Sequence, residues 1–151
     1  MAEHLASLIA SQDAVVLGRG TYAMWASYWP TSDNEPFSSF INGTRKYVFS
    51  STLPEATWRN STILRGGLAD EITALKREPG RDIGVHGSAR LVRSMLRAGL
   101  VDELRLAVPP VVAGTGERLF EQDGELLRLR LLDARRTSTG VMLLFYGPRE
   151  A

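Results

Sequence analysis

The chain has 151 residues, 44% apolar and 23% charged, with a formal net charge of +1. That is the profile of one ordinary globular domain spanning residues 1–151. The near-zero charge argues against electrostatic binding to nucleic acid. The lack of cysteine excludes disulfides, thiol catalysis and thiolate metal sites, and two histidines make a histidine-rich metal site improbable, so no metal is expected.

Residues 3–11 place Leu5, Leu8 and Ile9 at helical spacing. Residues 14–17 read as a buried strand that ends at Gly18 and turns directly into a helix over 21–28, where Tyr22, Trp25 and Tyr28 repeat the helical period. Pro30 stops that helix, 31–36 is a polar loop and 37–41 a short helix. Strands follow at 46–50 and 61–64, then an amphipathic helix at 68–76 ended by Pro79-Gly80. A strand at 82–86 passes at once into a helix at 88–98, with Gly99 as its C-terminal glycine. Residues 102–108 read as a strand, and 126–137 and 141–146 flank Ser138-Thr139-Gly140 as a hairpin. Strand–helix alternation followed by a hairpin predicts an α/β fold. Its sheet is mixed and mostly parallel, flanked by helices, with a C-terminal antiparallel hairpin. No apolar run spans a bilayer, and the opening residues lack a basic-then-apolar leader, so a cytoplasmic location without membrane partners is expected.

Three strand ends are candidate cofactor contacts. At Gly18-Arg19-Gly20-Thr21, a strand-to-helix turn presents backbone amides, and Arg19 adds a fork-shaped positive charge. An ordinary helix start with a solvated arginine explains the same residues equally well. The G-x-G-x-x-A spacing through Gly18, Gly20 and Ala23 is a weak match to a Rossmann fingerprint. The next strand begins too late and ends in Ser50-Ser51-Thr52 without an acid. Those hydroxyls, with Arg45 or Lys46 for charge, could hold a ribose phosphate, although a plain Ser/Thr turn is the simpler reading. His86-Gly87-Ser88-Ala89 repeats the first logic, with Ser88 as the expected helix cap.

In this order, the segments resemble the dihydrofolate reductase superfamily. The branch is that of bacterial proteins related to the reductase domain of riboflavin biosynthesis. The matching residues are Val15 to Tyr22, Lys46 to Ser50 and Gly87 to Val92. Gly99 to Leu104 and Pro110 to Gly116 with Leu119-Phe120 extend the match. The resemblance implies an NADPH-dependent reductase acting on a small pterin-like or riboflavin-precursor-like molecule. Gly18, Arg19, Gly20 and Thr21 would contact cofactor phosphates, Ser50 and Ser51 the adenosine phosphate, and Gly87, Ser88 and Ala89 the pyrophosphate. It also implies a homodimer. The family's opening strand has no counterpart before residues 2–11. This points either to a shortened start or to a remnant that binds nucleotide or dimerises without catalysis. In a remnant, the sheet would carry an open slot that another chain could fill.

No catalytic residue is readable. Asp33 and Glu35 are loop acids, and His86 reads first as a strand-end structural residue and second as a proton donor. Trp25 reads as core and Trp29 as a pocket wall, and both are candidates to line a flat substrate site. The arginines at 128, 130, 135 and 136 read as a solvated strand face.

Overall fold

The computed structural model describes residues 2–120 and 124–149. The chain divides into two compact units, Met1–Val92 and Arg93–Ala151.

The first unit opens with α1 (Ala2–Ala10), β1 (Gln12–Gly18) and α2 (Arg19–Tyr28). A 3-10 turn (Trp29–Thr31) leads to α3 (Phe37–Gly43), β2 (Arg45–Phe49) and β3 (Ser61–Leu64). Then come α4 (Leu68–Arg77), β4 (Asp82–Val85) and the start of α5 (Ala89–Arg97). Its strands form one parallel sheet in the order β3-β2-β1-β4. Parallel strands are covered on both faces, which is why β1 carries an unbroken run, Ala14 to Leu17, that is fully buried. Val15, Leu17, Ile41, Val48, Tyr22 and Trp58 make its core. Each aliphatic side chain of this set contributes about 1.5–3 kcal/mol by leaving water. Acids open α4 (Asp70, Glu71) and bases close it (Lys76, Arg77), matching the helix dipole.

Two polar features organise this core. Asn42 is buried, donates from Nδ2 to the carbonyls of Trp29 (2.8 Å) and Ser38 (2.9 Å), and accepts from Trp58 Nε1 (2.9 Å). Lys46, 0% exposed, sends Nζ to the carbonyls of Ile41 (2.8 Å) and Thr44 (2.9 Å) at the end of α3. Its ammonium lies 4.5 Å from the centre of the Trp58 ring. Burial first, and the nearby Arg59 second, bring its pKa from 10.5 down to about 8.

A bulge interrupts the β1–β4 ladder between Gln12 and Ala14. The extra residue, Asp13, accepts the Arg81 amide at 3.0 Å, and the Arg81 guanidinium donates to Ala10 O (2.8 Å) and Gln12 O (3.3 Å). Bulges re-aim side chains beside them, and here the residue affected is Gln12.

The second unit contains β5 (Leu104–Val108), β6 (Leu129–Arg136) and β7 (Met142–Pro148), an antiparallel sheet in the order β5-β7-β6. Gly99 closes α5 as expected, with Gly99 N donating to Leu96 O and Leu100 N to Met95 O. The expected hairpin forms, with Thr137 N donating to Val141 O at 2.9 Å and Val141 N to Thr137 Oγ1 at 3.0 Å. β6 starts at Leu129, later than the sequence pattern predicts, and residues 121–123 lie outside the described set.

The α/β architecture is therefore the expected one, realised as a parallel four-strand sheet with helices and a separate antiparallel three-strand sheet. Among the described residues, β4 pairs with β1 alone and β5 with β7 alone.

Candidate functional site

The carboxyl ends of parallel strands are where open α/β sheets bind ligands. β1, β2 and β4 end at Gly18, Phe49 and Val85. The turns that follow bring the three candidate segments of this unit together at one sheet edge.

The turns at Gly18 and Gly87 meet. Ser88 Oγ accepts the Gly18 amide at 2.9 Å and donates to Thr21 Oγ1 at 2.8 Å. Thr21 Oγ1 also accepts the Ser88 amide at 3.1 Å. This corrects one expectation: the Ser88 hydroxyl does not cap its own helix but ties α5 to the end of β1. It also means that the Gly18 and Ser88 amides are already engaged. The donors that remain include the first amides of α2, at Arg19, Gly20 and Thr21, whose helix start has no side-chain cap. Both Gly87 (φ +62°) and Ser88 (φ +53°) are left-handed. A serine there is strained by about 1 kcal/mol, and its bonds to Gly18 and Thr21 hold it. Ala89 begins α5 directly behind this turn.

Arg19 is exposed, and its Nη1 donates to Thr52 Oγ1 at 3.0 Å, so the first and second candidate segments also adjoin. Ser50 is buried, and its Oγ accepts the amides of Thr52 (3.2 Å) and Leu53 (2.9 Å), forming a hydroxyl turn. Ser51 and Thr52 are exposed. Arg45 and Lys46 do not serve this edge, contrary to expectation. They stand at the opposite end of β2, where Lys46 closes α3 and Arg45 lies 3.7 Å from Glu78. The cation present instead is Arg65, whose Nη1 donates to Ser50 O at 3.2 Å. Sequence reasoning missed it, although its place directly after β3 marks it as a strand-end residue.

Trp25 and Trp29 are both half-buried and belong to one aromatic group. Trp25 meets Trp29 and Phe37 edge to face, with centroids 6.0 and 5.5 Å apart. Trp29 Nε1 is buried without a hydrogen-bond partner among the described residues. The His86 ring joins this group, 5.5 Å from Phe37, 6.1 Å from Phe40 and 6.3 Å from Trp25. Its Nε2 lies 2.8 Å from Gln12 Oε1, and burial pushes its pKa down to about 4. His86 is thus neutral at physiological pH and ill suited to donate a catalytic proton. Glu35 is occupied structurally, accepting the Ser39 amide and hydroxyl at 3.2 and 2.7 Å. Asp33 is exposed. Among the described residues no group of three or more His, Cys, Asp and Glu could hold a metal ion.

A family model described as the RibD C-terminal domain matches residues 1–143. Among curated relatives, the uncharacterised Bacillus subtilis protein YyaP is 31% identical over 138 residues, covering 89% of this chain and 73% of its own. The uncharacterised YwjB of the same organism is 28% identical over 131 residues, covering 87% and 71%. Among solved structures, one described as a riboflavin biosynthesis protein from Shewanella sp. PV-4 superposes with a TM-score of 0.81 at 20% identity, over 99% of this chain and 81% of that one. A pyrimidine reductase-like protein from Corynebacterium diphtheriae gives 0.63 at 16% identity, with the same coverage. RibD from Acinetobacter baumannii gives 0.64 at 18%, over 97% of this chain and 49% of that one. At these identities the structural matches establish a shared fold.

Proposed function

The chain belongs to the RibD C-terminal domain family, and on that premise we propose that it is an NADPH-dependent reductase. Its substrate is a small heterocyclic or carbonyl compound of pterin-like or riboflavin-precursor-like character. One observation carries the reading. The Ser88–Gly18–Thr21 bonds lock two strand-to-helix turns together beside an uncapped helix start and an exposed arginine. That cradle fits a phosphorylated cofactor. The Arg19, Gly20 and Thr21 amides would receive a phosphate oxygen, and a Cβ built on Gly20 would meet nothing within 4 Å, so a ligand can approach the backbone. Arg19, with Ser51 and Thr52 beside it, would hold the adenosine phosphate. No acid stands in Ser50-Ser51-Thr52 to repel a 2′-phosphate, which favours NADPH over NADH. Gly87, Ser88 and Ala89 would shape the pyrophosphate side.

When bound, the cofactor supplies a hydride. The chain contributes binding and orientation, with Trp25 and Trp29 beside the substrate ring. Titration with NADPH and NADH, followed by fluorescence of Trp25 and Trp29, tests the reading. NADPH should bind more tightly, and Arg19→Ala should narrow the gap. Equal, weak binding of both cofactors would defeat it.

A second reading rests on the absence, among the described residues at this edge, of a group suited to donate a proton. Under it the chain binds nucleotide without catalysis. NADPH would then bind, yet no acceptor, dihydrofolate and pterins included, would oxidise it.

In either reading the protein acts in the cytoplasm as a homodimer, without nucleic-acid or membrane partners. Leu131 and Leu132, 54% and 45% exposed on the edge strand β6, support self-association. No helix among the described residues is long and apolar enough to cross a membrane. Sedimentation at micromolar concentration would show a monomer if the dimer assignment were wrong.

A further inference from the structure

We propose that His86 Nδ1 is a substrate-selecting acceptor, receiving a hydrogen bond from a ring N–H of a flat heterocycle bound beside Trp25. The inference rests on the reductase reading, since that heterocycle is the molecule being reduced.

Gln12 fixes the tautomer of His86. Its side-chain amide lies between Leu8 O, 3.1 Å from Nε2, and His86 Nε2, 2.8 Å from Oε1. A backbone carbonyl can only accept, so the amide end facing Leu8 must be the NH2. The end facing His86 is therefore the oxygen, which also only accepts. His86 Nε2 must carry the proton, and in a neutral imidazole Nδ1 is then a bare acceptor. The ring is neutral because burial holds its pKa near 4. Among the described residues, no hydrogen-bond partner of Nδ1 is found.

Three features of the fold maintain this arrangement. The bulge at Asp13, clasped by Arg81, sets the position of Gln12. The carbonyl of Leu8 near the end of α1, which also accepts Ser11 Oγ at 3.3 Å, fixes the amide's orientation. Gly84 leaves room for the pair. A Cβ there would overlap the Gln12 carboxamide and come within 2.9 Å of His86 Nε2. The backbone of Gly84 is not left-handed, so the requirement is for space alone. A neutral acceptor held in one tautomer, half-buried among aromatic rings, is suited to select a ligand by one donated hydrogen bond. Its place is informative too, because Gly87 and Ser88 of the phosphate cradle follow it directly in the chain.

The test uses the full chain labelled with nitrogen-15 histidine and read by NMR of the imidazole nitrogens, with and without NADPH. The probes are uracil, which carries ring N–H groups, and 1,3-dimethyluracil, which carries none. His86→Phe assigns the signals. We expect His86 protonated at Nε2 and bare at Nδ1. Uracil should move the Nδ1 resonance, while the dimethyl compound should leave it in place and bind about tenfold more weakly. His86→Phe should equalise the two probes, and Gly84→Ala should mix the tautomers. A proton on Nδ1, equal binding of both probes to the unmodified chain, or an Nδ1 signal that uracil does not move would each overturn the proposal. If NADPH perturbs neither the spectrum nor the tryptophan fluorescence while uracil still moves Nδ1, the reductase reading falls and the acceptor role stands.

Discussion

Replacing Lys46 by methionine should change how stability depends on pH, more than stability at any single pH. Lys46 is buried at the end of α3, and its pKa falls from 10.5 to about 8. The folded state therefore releases this proton before the unfolded state does. Below about pH 8 both states hold the proton, and the fold carries the full cost of a buried ammonium, about 3 kcal/mol at 1.36 kcal/mol per pH decade. Between about pH 8 and 10.5 the unfolded chain binds more protons, so stability rises with pH. Above 10.5 the cost is gone. The neutral amine can still donate to Ile41 O and Thr44 O, so deprotonation does not sacrifice those bonds. Lys46→Met removes the titration but leaves both carbonyls without Nζ. Those two effects partly offset each other near neutral pH, where the net change is the less informative quantity. The decisive measurement is urea unfolding of both proteins at 25 °C from pH 7.5 to 9.5. The parent chain should gain about 2 kcal/mol on the variant across that range. Subtraction cancels other groups that titrate alike in both. A constant gap would show that Lys46 holds its proton equally in folded and unfolded chains, and would refute the reasoning.

Two further outcomes follow from the polar bonds inside the first unit. Asn42→Leu leaves Trp58 Nε1 and the Trp29 and Ser38 carbonyls without this partner. It should lower stability by about 2–4 kcal/mol in urea, and a loss below about 0.5 kcal/mol would show that water or repacking replaces the network. Thr21→Val keeps the shape but removes the acceptor for Ser88 N and Oγ. It should cost about 1–3 kcal/mol and weaken NADPH binding in calorimetry. Unchanged affinity would mean that the Gly87–Ser88 turn needs no anchor to receive the cofactor.

Local signals made much of this legible in the sequence. The strand at Ser61–Leu64, the turn after Gly18, the helix end at Gly99 and the hairpin before Gly140 each carry their cause within a few neighbouring residues. What could not be read depends on distant partners. Lys46 looked like a charge available to a phosphate. Its burial follows from the end of α3 lying against β2, and no property of the residue itself announces that. Gln12 and His86 stand 74 residues apart, and only the pairing of β1 with β4 brings them together. Ser88 was readable as a residue beginning a helix, yet its hydroxyl answers to Gly18 and Thr21, 70 and 67 residues away. The sheet edge was thus legible as a location, while the engagement of its own amides was not.

That long separation has a kinetic consequence. The Ser88–Gly18 and Arg81–Ala10 bonds close loops of 70 and 71 residues. Joining ends so far apart carries an entropic penalty of about 4 kcal/mol by the loop-length scaling, before either bond can form. β2 and β3 lie inside that loop, and their assembly shortens the remaining search. The junction of the Gly18 and Gly87 turns is therefore a long-range contact of the kind whose closure slows folding. A ligand that bridges the two turns would act as a staple across a 70-residue loop, slowing unfolding more than it speeds folding.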